Sequence, residues 1–249
     1  MTNILEHVVD GIHMVADAQV NWYIVEEEHR VCVVDAGHPS SWRSLHDALE
    51  QIGRAQAHVT DVLLTHGHFD HVGFAERARE ELGATVHVHE LDRRLAEHPW
   101  SYRHERPRSL YMLRHPSFVA RFTDMAAHGA LFVKGVHEVV TFGDGDELDV
   151  AGRPQVVHLP GHTDGQCAFA YPDRGAIIVG DAIVTHDPYT NGDGPRIIAG
   201  AATADRRRAL HSLDRLRSRT EHTLLPGHGD LWEGHLRDAV DHAQRIGAT

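Results

Sequence analysis

The sequence predicts a mixed α/β fold in which two mixed β-sheets face each other and helices cover the outside. Three observations lead there. Short runs rich in Val and Ile alternate with segments of helical periodicity. Some strands follow one another as hairpins and others are joined through helices, so the sheets must hold both antiparallel and parallel pairs. Several strand-like runs end in a histidine or an aspartate, which gathers polar groups where strands stop. Other α/β arrangements meet the first two observations equally well; the third narrows the choice.

In chain order, residues 20–25 and 31–34 read as strands, the second ending at Asp35-Ala36-Gly37. Ser40 or Ser41 can cap a helix that runs through Ile52 and stops at Gly53. A short buried strand at 62–64 leads straight into Thr65-His66-Gly67-His68-Phe69-Asp70-His71. Residues 72–82 are helical, closed by Gly83, and 85–89 return to strand. Strands at 139–142 and 148–150 flank the turn Gly143-Asp144-Gly145-Asp146. Strands at 156–159, 167–171 and 177–179 follow, then helices at 204–216 and 236–246 separated by a strand at 223–225. Residues 93–136 stand apart, with seven arginines from Arg93 to Arg121 beside Trp100, Tyr102, Tyr111, Phe118 and Phe122. They read as a helical insertion or cap on a single domain spanning 1–249, either a solvated surface or a lid over a site.

The chain is 41 % hydrophobic and 24 % charged, as expected of a globular protein. Its formal charge of −12 opposes binding to nucleic acid or anionic membranes, which is carried mainly by Lys and Arg. There is no apolar run of the ~18 residues that a spanning helix needs. Residues 1–15 carry no Lys or Arg ahead of an apolar stretch, unlike a secretory leader, so a cytoplasmic location is expected. Cys32 and Cys167 sit in apolar strand contexts and read as buried free thiols.

The 24 histidines are the unusual feature, and their spacing decides what they mean. Alternate side chains of an extended segment share one side, so His66, His68 and Asp70 converge on one face at a strand end. His71 points elsewhere unless the chain bends, and the helical pattern from Val72 predicts a bend. Three further strands each deliver one such residue, in Leu159-Pro160-Gly161-His162-Thr163, Ile178-Val179-Gly180-Asp181 and Leu225-Pro226-Gly227-His228-Gly229. A metal site at one edge of a sheet requires this arrangement.

In their order and separations, His66, His68, Asp70, His71, His162, Asp181 and His228 resemble the ligand set of the metallo-β-lactamase superfamily, over a match from about Val31 to Gly229. The resemblance implies an αββα sandwich with a two-metal site at one edge of the paired sheets. It implies that His66, His68 and His162 hold the first metal, that Asp70, His71 and His228 hold the second, and that Asp181 bridges them. Asp35 resembles an aspartate that stands behind the ligands and orients them, with a plain loop role as the alternative. Nitrogen and oxygen ligands without thiolate suit two divalent ions, zinc first, with iron or manganese also accommodated. Two such ions would share and activate a water for attack on a carbonyl, with Asp70 as the catalytic carboxylate that orients it or carries its proton.

Within the superfamily, the missing leader and the presence of Asp181, where the best-known antibiotic lactamases use a cysteine, oppose β-lactam hydrolysis. A chain of 249 residues also lacks room for the RNA-binding domains of the nucleases. The set is similar to that of glyoxalase II and the acyl-homoserine-lactone lactonases. Glyoxalase II adds a basic C-terminal helical domain for glutathione, whereas only about twenty residues follow His228 here, with Arg237 and Arg245 their only strong cations. The expected reaction is therefore hydrolysis of an ester-like carbonyl, lactone before thioester or simple ester. Tyr189, in His186-Asp187-Pro188-Tyr189, either touches the substrate carbonyl, as a tyrosine after the bridging aspartate does in the lactonases, or packs within a turn. The alternatives are a one-iron persulfide dioxygenase, which the completeness of the ligand set opposes, and a non-catalytic metal-binding scaffold. A small molecule is the expected partner. The arginines of 93–136 would favour a carboxylated one, and a homodimer is left open.

Overall fold

The computed structural model describes residues 3–107 and 123–248. A seven-stranded sheet runs in sequence order through β1 (Asn3–Val9), β2 (Ile12–Asp17), β3 (Val20–Glu27), β4 (Arg30–Val34), β5 (Val59–Leu63), β6 (Thr85–His89) and β7 (Val140–Phe142). Its first four strands pair antiparallel, while β4 to β7 pair parallel. The parallel half follows from its crossovers. These are α1 (Ser41–Gln51), the pair α2 (Phe69–Val72) and α3 (Ala75–Leu82), and the segment 93–136, which holds α4 (Arg93–Glu97). The second sheet combines β8 (Gln155–His158), β9 (Cys167–Tyr171), β10 (Ala176–Gly180), β13 (Thr223–Pro226) and β14 (Trp232–Glu233) in the order β14-β13-β10-β9-β8. There β10 and β13 are parallel and the other pairs antiparallel. Between β10 and β13, β11 (Val184–Asp187) and β12 (Gly192–Arg196) form a ribbon of their own, followed by α5 (Arg206–Ser212). The chain closes with α6 (Leu236–Ile246).

Side-chain alternation turns these strands into four layers. On β3, Tyr23 and Val25 join a core with Cys32, Val34, Phe169, Tyr171 and Ile178, which lies between the sheets. Their neighbours Trp22, Ile24, Val31 and Val33 face the other way and pack with Leu45, Ala48 and Leu49 of α1 and Ala75 and Ala78 of α3. On the second sheet, Ala168, Ala170, Ile177 and Val179 pack outward against Ala209 of α5 and Leu236, Ala239, Val240 and Ala243 of α6. Two mixed sheets flanked by helices are therefore present, as expected. Cys32 and Cys167 are free thiols buried in the central core, and that burial pushes both well above the usual thiol range. Among the described residues no helix is long and apolar enough to cross a membrane.

Several boundaries differ from the sequence reading. Residues 148–150 are not a strand; a lone bridge joins Glu147 to Gln155, because the chain turns back at once through the bond from Arg153 N to Val150 O. The expected helix over 72–82 starts earlier, at Phe69, and breaks at Gly73 before resuming at Ala75. The expected helix over 204–216 is α-helical only from Arg206 to Ser212, where Asp205 caps it by accepting from Arg208 N, and it tightens to a 3₁₀ turn through Leu216. The strands β1, β2, β11, β12 and β14 were not foreseen. In the 93–136 segment, residues 123–127 are helical beside α4, while Tyr111, Phe118 and Phe122 lie outside the described residues.

Gly73 is the break that separates α2, which carries Asp70 and His71, from α3. A Cβ there would collide with the carbonyl oxygen of Gly37 and the backbone of His38. Gly73→Ala is expected to destabilise the fold by about 2–4 kcal/mol, read as a lower denaturation midpoint. An unchanged midpoint would show that the loop after β4 yields freely.

Candidate metal centre

Five strands point their C-terminal ends at one edge of the sandwich. From β4 comes Asp35, from β5 the Thr65–His71 segment, from β8 His162, from β10 Asp181 and from β13 His228. This is the usual place for a site in sheets with parallel strands, since the chain leaves each strand there in a loop free to aim a side chain. The seven side chains singled out from the sequence meet here, and none is more than 8 % exposed. Ligating atoms of His66, His68 and His162 lie within 4.8 Å of one another, as do those of Asp70, His71 and His228, and those of His66, His71 and Asp181. Asp181 touches both triads. Its Oδ2 is 3.8 Å from His66 Nε2, 3.3 Å from His162 Nε2 and 3.5 Å from His228 Nε2, and its Oδ1 is 3.4 Å from His71 Nε2.

Asp70 does not share a face with His66 and His68, as alternation predicted. The extended backbone ends at His68, whose carbonyl accepts from His71 N and Val72 N, so Asp70 and His71 stand on the single turn of α2. That turn swings both toward His228, whose Nε2 is 3.6 Å from Asp70 Oδ2. The bend foreseen at Val72 thus falls earlier in the chain.

The histidines are oriented from behind. Nδ1 of His71 donates to Asp35 Oδ2 at 2.8 Å, and Nδ1 of His228 to the Gln19 carbonyl at 2.6 Å. Thr65 Oγ1 donates to Asp35 Oδ2 at 2.8 Å, so it accepts from His66 Nδ1 at 3.1 Å. Thr203 Oγ1 likewise donates to the Ile198 carbonyl at 2.7 Å and accepts from His162 Nδ1 at 3.2 Å. Each of these four rings therefore turns an Nε2 lone pair inward. Asp35 itself adopts φ +63°, a costly conformation for a non-glycine residue, and also accepts from Thr65 N at 2.8 Å.

The electrostatics show what this cage lacks. Burial would hold Asp181 protonated, yet His228 and His71 pull it well below the usual carboxylate range. Burial would also keep His71 and His228 neutral, but Asp181 heads the opposing charges and raises both, most of all His71. His66 and His162 are depressed by burial, with the neighbouring His71 adding to it, His162 to about 4. His66 Nε2 has no hydrogen-bond partner among the described residues. Converging lone pairs and carboxylates shut away from water fit divalent cations, which would replace the protons otherwise needed for charge balance.

Comparison with known proteins agrees with this geometry. The family description "Metallo-beta-lactamase superfamily" matches residues 15–228. The chain belongs to that superfamily. Membership makes it a metal-dependent hydrolase. Over 234 residues it is 25 % identical to the probable metallo-hydrolase YflN of Bacillus subtilis, covering 88 % of this chain and 84 % of that one. It is 26 % identical over 168 residues to the hydroxyacylglutathione hydrolase of Ectopseudomonas mendocina, covering 65 % of this chain and 46 % of that enzyme. Among solved structures, TTHA1623 in a di-iron-bound form superposes with a TM-score of 0.62 at 27 % identity, covering 88 % of this chain and 92 % of that one.

An apolar cleft opens onto the superfamily site. Ala18, Val20, Phe69, Trp100, Tyr102, Met125, Ile198 and Ala202 line it, and its ionisable groups are His68, Asp70, Asp181 and His228. Phe69 and Trp100 stack at 4.0 Å between ring centroids, and Tyr102 lies 4.1 Å from His68. Tyr189 lines the cleft and also packs within its turn. Its N–H donates to Asp187 Oδ1 at 2.9 Å, and it packs against Val184, Ile198 and Ala202.

Sequence reading missed the groups behind the ligands. Gln19 acts through a backbone carbonyl in a turn that lacks glycine, and Thr65 and Thr203 carry no spacing signal. Asp92 was also passed over. It is 1 % exposed and accepts from Gly67 N at 3.0 Å, Thr163 Oγ1 at 2.6 Å and Gly165 N at 2.8 Å, which clips the His66–His68 loop to the His162 loop. Asp92→Ala should cost about 2–4 kcal/mol by stranding buried donors, with Asp92→Asn retaining part of it. Equal melting temperatures for both variants and the parent would remove the clip.

His38 supplies a pH test. Burial lowers it to about 4, so between about 6.5 and 4 the unfolded chain binds a proton that the folded chain refuses. In that window its contribution falls by about 1.4 kcal/mol per pH unit as pH drops. His38→Gln should flatten the acid limb of the stability curve by one proton, measured by denaturant titration from pH 7 to 4. An unchanged slope would place the acid sensitivity elsewhere.

Proposed function

We propose that the chain hydrolyses an ester-like carbonyl, lactone first and thioester or simple ester next, at two divalent cations. The observation that carries this reading is the convergence of seven buried side chains as two triads around Asp181. His66, His68 and His162 would hold one ion and Asp70, His71 and His228 the other, with Asp181 between them. When bound, the pair would supply Lewis-acid polarisation of a carbonyl and a water acidified toward neutrality. Zinc suits the nitrogen and oxygen donors, and the di-iron form of TTHA1623 keeps iron beside it.

The chain's own residues do the remaining work. Asp35, Thr65, Thr203 and the Gln19 carbonyl hold the imidazoles so that none must reorient during reaction. Asp70 fronts the apolar cleft, where its carboxylate orients the attacking water and takes its proton. Phe69, Trp100, Tyr102 and Met125 shut water from the acyl group, and Tyr189, on the cleft wall, would meet the substrate carbonyl. The apolar lining suits the acyl portion of such a substrate.

Plasma mass spectrometry on untagged, chelator-free protein is expected to find close to two zinc, iron or manganese ions per chain. Asp70→Ala should retain fewer ions and lose at least about 100-fold in kcat on lactones. One iron per chain together with oxygen uptake on a persulfide would overturn the hydrolytic reading in favour of sulfur oxidation.

A further inference from the structure

A second cleft lies on the other side of Tyr102. Leu91, Arg94, Leu95 and Arg103 line it together with Thr163, and it reaches His162 of the metal centre. Tyr102 belongs to the walls of both clefts, so they flank the site on either side of one aromatic ring. Their chemistry differs sharply. Among the described residues the first carries no cationic side chain other than the histidines of the centre, whereas the second carries two guanidinium groups beside Asp92 and Asp164.

The second cleft is lined by two arginines and two aspartates, and both aspartates are already engaged. Asp92 is buried and saturated by its three donors. Asp164 is shared by two arginines, 3.3 Å from Arg103 Nη1 and 2.9 Å from Arg208 Nη1. One carboxylate thus faces two guanidinium groups. Arg94 has no carboxylate partner among the described residues; its neighbour Arg93 takes Glu97 at 3.6 Å. With Asp92 spent on its three donors and Asp164 on two arginines, Arg94 is left beside the reacting centre without a carboxylate among the described residues.

We infer that this cleft binds a carboxylate carried by the substrate, with Arg94 as its principal partner and Arg103 as the second. The inference rests on the hydrolase reading above and adds a substrate class to it: an acyl compound with an apolar portion for the first cleft and a carboxylate for the second. Leu91, which is 52 % exposed, and Leu95 give the intervening methylene chain an apolar bed. A guanidinium fork suits a carboxylate, and a solvated groove makes the attraction salt-dependent.

The test compares 4-nitrophenyl hexanoate with 4-nitrophenyl hydrogen adipate on the metal-loaded protein. The adipate ester is expected to have a KM lower by about tenfold at low salt, with the advantage shrinking as salt rises. Arg94→Gln, at an exposed position outside the centre, should erase that advantage and leave the hexanoate kinetics unchanged, while Arg77→Gln on α3 changes neither. Equal KM values for the two esters in the parent, or an advantage that survives in both Arg94→Gln and the Arg94→Gln/Arg103→Gln double variant, would overturn the inference. If the parent hydrolyses neither ester, the simple-ester part of the hydrolase reading fails by itself. The ether 6-(4-nitrophenoxy)hexanoate then tests the cleft by calorimetry: binding weakened about tenfold in Arg94→Gln supports it, and binding equal in parent and variant sinks it.

Discussion

The structure depends on holding imidazoles by one nitrogen so that the other faces a common centre. A buried neutral histidine has one donor and one acceptor, and leaving either unmet is costly. Here the donors are spent outward, on Asp35, Thr65, Thr203 and the Gln19 carbonyl, and the acceptors are left inward. The cage is therefore electron-rich by construction, with Asp181 at its middle. Such an arrangement is poor for a core that must stand alone and well suited to one completed by cations.

Meeting that constraint requires the two sheets to approach at one edge. Asn21 donates to the Pro226 and Gly229 carbonyls, and the Tyr23 hydroxyl donates to Pro226 O at 2.6 Å, so β3 of one sheet holds the end of β13 of the other. Cys167 N donates to Thr65 O at 2.9 Å, tying β9 to the start of the histidine loop. At Gly227 a Cβ would run into the Asp181 carboxylate and the His71 ring, so only glycine lets the backbone before His228 pass this close. Packing at the edge and orientation of the ligating groups are thus one problem solved by the same residues.

This division also explains what could be read from the sequence. Strands with β-branched runs, such as β4 and β10, and the four strand-to-His or strand-to-Asp junctions were legible because their signal is local. Members of the seven-residue set came together because each sits one loop beyond a recognisable strand. What escaped was defined by partners distant in sequence. β2 is buried on nearly all sides and so lacks alternation, while β12 reads Gly-Asp-Gly-Pro-Arg and has no strand-forming residue before it pairs with β11. Asp92 looks like any helix-start aspartate until Gly67, Thr163 and Gly165 are seen to converge on it. The period-2 argument misassigned Asp70 because a helical turn began three residues before the hydrophobic pattern announced it.

The ligating set, being shared chemistry, cannot by itself choose a substrate; selection falls to whatever borders it. Besides Ala18 and Val20 of the β2–β3 turn and Phe69 of α2, the borders come from two segments of the chain. Trp100, Tyr102, Arg94 and Arg103 belong to the segment after β6, and Tyr189, Ile198 and Ala202 to the segment after β11. Both segments also support the cage, through Thr203 and the Ile198 carbonyl behind His162 and through Asp92 between the ligand loops, so only their cleft-facing side chains can vary without disturbing it. Tyr102 is where the two demands meet. It covers His68, packs beside Tyr189 against Ile198 and Ala202, and lines both the apolar cleft and the one that holds Arg94 and Arg103. On the inference drawn above, a residue in that position would divide a substrate's two ends about the metal centre, and the loop after α4 would be where specificity is set.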